Sequence, residues 1–429
     1  MDNLSDCTKE QLIEQIKALK AHTTQLQNII AKSTESAKRP KSKIKRSFNF
    51  EKCKFRHVLL KFVYLGWDYQ GYVTQEDTTN TIEHHIFNAL TKTCLIESRA
   101  TANYHRCGRT DKGVSSFSQV ISIDLRSNSD ELENELNYCK ILNRVLPDDI
   151  QFIAWCPVDK DFSARFDCKN RTYKYFFPKG NLNIEKMNTA SKYLIGNHDF
   201  RNFCKMDVNN GVTEFFRTIS SVEISCYRGE ENCSNFFKFT VVTLFIKYFT
   251  DYSIYILTIR GNAFLWHQIR CIVGILILIG QNRENPEVVL ELLDIENNPR
   301  KPDYFMASEI PLNLYDCSYE NVSWIYDRET VDNVTKNLSK FWTFFTIKSA
   351  MIKSMIQDVD KKSDENRYCP SNFLIQGVKS RNYVPVMKRQ LCGKFHGHNK
   401  FLFFVIVLLE SLENRIKHSM KKRKRKGNI

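Results

Sequence analysis

Fourteen cysteines are spread over 429 residues without one C-x-x-C pair, and the closest two are Cys226 and Cys233. The sequential spacing of a zinc-binding module is therefore missing. No Gly-Lys-Ser/Thr phosphate loop and no dinucleotide-binding loop occurs. The longest apolar runs, Ile272–Ile279 (interrupted by Gly274) and Phe401–Leu409, fall well short of the roughly 20 residues that span a bilayer. The opening MDNLSDCTKEQ has no apolar signal-peptide core. These absences argue against a metal module, a nucleotide-driven motor and a membrane protein. They suit reduced thiols in a nuclear or cytoplasmic protein.

Material for a core is plentiful. Hydrophobic residues make up 42% of the chain, with 30 Phe and 18 Tyr. The length favours two or three parts over one domain. Net charge is +15, and its location matters more than its size. Lys38, Arg39, Lys41, Lys43, Lys45 and Arg46 form one acid-free run, and Lys421–Lys426 (KKRKRK) forms another. Together they hold 12 of the 15 excess charges, so the remainder is only mildly basic. Two such runs suit a polyanion partner or a nuclear address.

Residues 8–30 place Leu12, Ile16, Leu19, Leu26 and Ile30 at alternating four- and three-residue steps, a short heptad seam. It serves equally as a docking or dimerising helix and as a lone helix lying on the protein's own body. The periodicities divide the chain as follows: 1–35 amphipathic coiled-coil-like helix; 36–52 basic linker; 53–170 and 171–330 two halves of one folded body; 331–378 a less structured insertion; 379–410 closing strands; 411–429 basic tail. Within the body, strands are expected at His57–Tyr64, Gln119–Leu125, Phe152–Pro157, Arg171–Phe177, Ser220–Cys226, Phe236–Tyr248 and Ser253–Arg260. Helices are expected at Thr81–Thr93, Leu132–Val145, Asn183–Leu194, Ala263–Ile279 and Pro286–Leu293. This order gives an α+β protein with mainly antiparallel sheets and helices on one face.

Three segments could carry chemistry. Cys107–Ser116 reads CGRTDKGVSS. Glycines bracketing an Arg-Thr-Asp make a tight loop that lets backbone approach a ligand. On residue types alone, Asp111 is as good a turn-capping residue as a catalytic one. Phe162–Phe177 interleaves Arg165, Lys169, Arg171 and Lys174 with Phe166, Tyr173, Tyr175 and Phe177. Such a strand either binds phosphates and stacks on bases or has one buried aromatic face and one wet basic face. In GNAFLWHQIR, Arg270 sits deep in an apolar stretch. It requires an anion facing it, for which Asp111 is a candidate; His267 reads best as a packing histidine.

Taken together, these motifs resemble the TruA-type transfer RNA pseudouridine synthases. Gly108-Arg109-Thr110-Asp111-Lys112-Gly113-Val114 looks like that family's signature loop. Phe162, Arg165, Phe166, Arg171, Tyr173 and Tyr175 resemble its second motif. Phe264, Leu265, His267 and Arg270 resemble its third, and Tyr383, Pro385, Lys388 and Arg389 its C-terminal strand. Gln70-Gly71 through Glu83 and His198–Thr218 are similar to the eukaryotic branch acting at positions 38 and 39 of the anticodon stem. Ser115, where bacterial relatives usually carry His, agrees with that branch.

The resemblance implies two similar α+β halves around a central basic RNA-binding cleft, a tRNA anticodon stem-loop as substrate, and no cofactor or metal. It implies Asp111 as the catalytic carboxylate, Tyr173 packing on the flipped uracil, and Arg270 paired with Asp111. Arg109 would fill the space left by the flipped nucleotide, with Lys112, Arg165, Arg171 and His267 as further RNA contacts. Relatives are often homodimers, and the heptad helix is compatible with that.

Overall fold

The computed structural model describes residues 48–129, 131–205, 214–227, 252–360, 370–375 and 382–392. The expected helix over 8–30, most of the basic linker, the strand over 236–248 and the tail from 411 lie outside the described residues. The chain divides into two units, Met1–Lys52 and Cys53–Ile429. In the first, Phe48 meets Phe50 edge-on at 4.8 Å.

The second unit is built on one sheet. Its strands are β1 (Lys54–Tyr64), β2 (His105–Arg106), β3 (Ser115–Ser127), β4 (Ile150–Pro157), β5 (Asn170–Pro178), β6 (Gly196–Asp199), β7 (Phe216–Cys226), β8 (Ile254–Gly261) and β9 (Leu312–Ser318). They lie in the order β4-β1-β3-β9-β5-β8-β7-β6, with β2 alongside β3. All pairings among them are antiparallel except one. β3 and β9 run parallel over two residue pairs, Ser115–Asn313 and Ser116–Leu314. That short joint connects the early strands to the late ones; one core lies among the early strands, and the larger one draws on both groups, including Leu59, Val120 and Cys156.

Around the sheet run α1 (Ile82–Lys92), α2 (Tyr138–Asn143), α3 (Ile184–Lys192), α4 (Gln268–Gly280), α5 (Val288–Leu293) and α6 (Arg328–Asp360). The causes are local. Thr81 Oγ1 caps α1 by accepting from the His84 amide at 3.4 Å, and Asn183 Oδ1 caps α3 by accepting from the Lys186 amide at 3.0 Å. Ile82, Ile86 and Leu90 recur on one face of α1 and are fully buried with Val58, Leu60 and Phe62 of β1. Each such side chain contributes roughly 1.5–3 kcal/mol by leaving water. Apart from Gln268 and Arg270 in its first turn, α4 is apolar, and all of its residues are buried.

The structure corrects the sequence reading in several places. Residues 132–145 do not make one helix. A 3-10 turn at Leu132–Asn134 precedes the short α2, which Asn137 caps. α4 starts at Gln268, five residues later than expected. His267 adopts a left-handed backbone at φ 60°, which no helix interior accommodates. Residues 331–360 are not unstructured, since α6 is a 33-residue helix. Val331, Val334, Leu338, Phe341, Phe345, Ile352, Ile356 and Val359 recur along it at three- and four-residue steps or their sum, a stripe that the sequence reading missed. Trp342, Phe344, Ile347 and Met351 are all exposed. β9 was not foreseen at all. Tyr383–Arg389 holds a 3-10 turn, Val386–Lys388, rather than a strand, and Glu284 accepts from the Tyr383 hydroxyl and from the Val386 amide.

Candidate active site

Asp111 stands on the loop that enters β3. The Tyr72 amide donates to Thr110 O at 3.1 Å, and the Gly113 amide donates to Tyr69 O at 3.2 Å. Buried Gln119 grips the loop's start, accepting from the Gly108 amide at 3.3 Å and donating to Gly108 O at 3.1 Å. Gly113 has φ +77°, and a Cβ there would lie 2.8 Å from Glu309 Cγ. Gly66 lies so close below that a Cβ would fall 1.9 Å from Val114 O. The loop is therefore fixed from both sides, and Asp111 is presented rather than merely exposed.

The Asp111 carboxylate, half-buried, meets the start of α4. Trp266 Nε1 donates to Oδ1 at 3.1 Å, and His267 Nε2 lies 3.3 Å from Oδ2. Burial lifts the Asp111 carboxyl above its ordinary range, although Arg270 and Trp266 pull it down. Burial drives the His267 imidazole down to about 3, with the Arg270 and Lys205 charges adding to the effect. His267 is thus neutral, so this close contact is not an ion pair. Its Nδ1 is buried with no hydrogen-bond partner.

Arg270 comes from one turn further along α4. Its Nε donates to Ala307 O at 2.8 Å, and its guanidinium pairs with Glu309 at 2.8 Å. The expectation of a carboxylate facing this buried cation is met, and the direct partner is Glu309. The positive field of Arg270 still reaches Asp111 and is the largest influence opposing its protonation.

Tyr173 lies on β5, buried, with its ring edge-on to Phe264 at 5.3 Å. A Cβ at Gly108 would sit 4.0 Å from the Tyr173 hydroxyl, so the phenol reaches under the signature loop. Burial pushes that phenol up, and it stays protonated.

Arg109 and Lys112 are exposed on the same loop. Partial burial lowers the Arg109 guanidinium, and repulsion from Arg106 and Arg165 adds to the effect. Arg165 stands 5.1 Å over the exposed Phe166 ring. This rim offers cations and an aromatic face together. Arg171 is turned inward instead. It donates to Cys107 O at 2.9 Å, Arg165 O at 2.8 Å and Asn262 O at 2.6 Å. It therefore ties the base of the loop to its neighbours, and little of it reaches solvent.

Sequence reasoning overlooked Trp266, Glu309 and Lys205. Trp266 lies inside the quoted GNAFLWHQIR and is 41% exposed; an exposed tryptophan before a helix was a usable signal. Lys205 Nζ stands 4.9 Å over its ring. Glu309 lies in a stretch with no pattern, so nothing pointed to it.

The family described as tRNA pseudouridine synthase matches residues 190–320. The mouse tRNA pseudouridine(38/39) synthase is 43% identical over 95% of this chain and 86% of the mouse protein. The human protein of that name is 42% identical, covering 96% of this chain and 88% of the human one. The Saccharomyces cerevisiae protein of that name is 41% identical, covering 76% of this chain and 73% of the yeast one.

Proposed function

The chain belongs to the tRNA pseudouridine synthase family, and from that premise we propose that it isomerises uridines 38 and 39 of the tRNA anticodon stem, with Asp111 as the catalytic carboxylate. The carrying observation is the convergence on Asp111 of the signature loop and the start of α4. The reaction conserves all atoms. The N1–C1′ bond breaks, the uracil turns, a C5–C1′ bond forms, and one proton passes from C5 to N1. No redox partner or phosphate donor is needed.

Asp111 acts at the ribose as the glycosidic bond breaks. Its ionised form is the working one, and the Arg270 field together with the Trp266 donor holds it in place. Tyr173, kept protonated by burial, packs on the turned-out uracil, and its hydroxyl relays the C5 proton by giving up its own towards N1 as it receives the one from C5. A base within a stem must leave the stack first, at a cost of a few kcal/mol. Arg109 fills the space that base leaves, while Lys112, Arg165 and Phe166 hold phosphates and an unpaired base. The basic cleft between the early and late strands would seat the stem-loop.

The test is pseudouridine mapping on tRNA incubated with purified protein and no added cofactor, comparing wild type with Asp111→Ala. New pseudouridine at 38 or 39 with wild type alone is expected. RNA binding without product from wild type would reduce the protein to an RNA-binding module.

A further inference from the structure

Three cysteines meet beneath the signature loop, although they are remote in sequence. Cys107 immediately precedes the loop, Cys168 precedes β5, and Cys317 lies on β9 opposite Arg171. All three are buried and unbridged, and their sulfurs lie within 4.8 Å of one another. Neutral thiols packed together would need no counter-charge. Arg171 says otherwise. It is nine-tenths buried, and its hydrogen bonds go to the main-chain carbonyls of Cys107, Arg165 and Asn262. A guanidinium held away from water requires an anion. The acidic groups acting on it are these three thiols, followed by Tyr173.

We propose that Cys107, Cys168 and Cys317 form a three-sulfur site for one thiophilic divalent ion, Zn2+ being the fitting one. Thiolates are soft donors that select such ions over Mg2+ or Ca2+. Three thiolates, one divalent cation and the Arg171 guanidinium sum to zero charge, so the whole group can be buried. Zinc prefers a fourth ligand, and the Tyr319 hydroxyl lies against Cys107, donating at present to Ala164 O at 2.7 Å. The ion takes no part in the isomerisation. It joins the root of the Asp111 loop to β5 and β9, next to the parallel β3–β9 joint. The absence of C-x-x-C spacing is no obstacle, because each sulfur arrives from a different strand end.

The test uses the full chain, produced in zinc-supplemented medium and purified without chelator. Metal per chain is counted by mass spectrometry, and the metal K-edge absorption spectrum gives its donor atoms. About one zinc per chain is expected, with a sulfur-dominated shell. Cys168→Ser and Cys317→Ser should each cut metal content about tenfold while the protein still binds tRNA. If either variant fails to fold, the wild-type K-edge spectrum alone decides. A metal-free wild-type protein, a shell lacking sulfur, or zinc retained by both serine variants would overturn the proposal. The cluster would then be packed thiols sharing one thiolate with Arg171.

Discussion

Two sets of arginines bracket the same loop, and they do opposite work. Arg109 and Arg165 are exposed, and each raises the electrostatic cost of the other. Arg171 and Arg270 are buried, with carbonyl oxygens on both and Glu309 on Arg270. The outer set is left waiting for negative charge from outside, which suits RNA phosphates. The inner set is already committed and fixes the geometry that the outer set serves. One residue type, drawn from three motifs, thus divides into holders of substrate and holders of fold, according to burial.

Substitutions should separate the two sets. The largest effect is expected from Arg270→Ala, which leaves Glu309 half-buried without its cation. About 3–5 kcal/mol of unfolding free energy should go, read by chemical denaturation, and Arg270→Lys should recover part of it. Arg171→Ala strands three carbonyls and should lower stability by about 2–3 kcal/mol, without changing the salt dependence of tRNA binding. On the rim, Arg109→Ala should leave stability within about 0.5 kcal/mol of wild type. It should slow single-turnover pseudouridine formation about tenfold or more. Lys112→Ala should weaken tRNA binding only a few-fold and reduce the salt slope by about one. A stability loss from the rim variants, or a changed salt slope in Arg171→Ala, would break the division.

A further contrast concerns pH. His267 titrates at about 3 when folded against an ordinary 6.5, so the unfolded chain takes up its proton first. Its contribution to stability is therefore present above about 6.5 and is lost as pH falls towards 3. Wild type should lose stability across that window faster than His267→Gln, as followed by thermal unfolding at stepped pH.

Much of this was legible in the sequence, for physical reasons that differ by element. β5 and α1 could be read because alternation and the three-to-four spacing map directly onto one buried face, and β1 because its near-continuous apolar run marks a strand buried on both faces. Arg270 was singled out because a cation in an apolar run is costly unless paired, whereas Asp111 stood out through the resemblance of its Gly-bracketed loop to the family's signature. Glu309 was invisible, since it becomes meaningful only when the chain folds back onto α4. The start of α4 was misjudged because a left-handed histidine leaves no trace in periodicity. The cysteine cluster escaped for a related reason. Spacing rules see ligands that share a turn, not ligands gathered from three strand ends. Arg171 and Arg165 lie in one alternating segment, and only burial tells the clamp from the contact.

The most direct test of the account is Asp111→Asn, assayed at neutral pH for pseudouridine formation and for stability in the same preparation. Burial raises the Asp111 carboxyl, so its ionised form costs the fold stability once pH exceeds the ordinary carboxylate range, and that cost is complete above the raised value. The amide can still accept from Trp266. The account predicts no pseudouridine from Asp111→Asn together with a melting temperature equal to or above wild type. Retained activity, or loss of activity together with loss of fold, would contradict it and return Asp111 to the role of a structural turn residue.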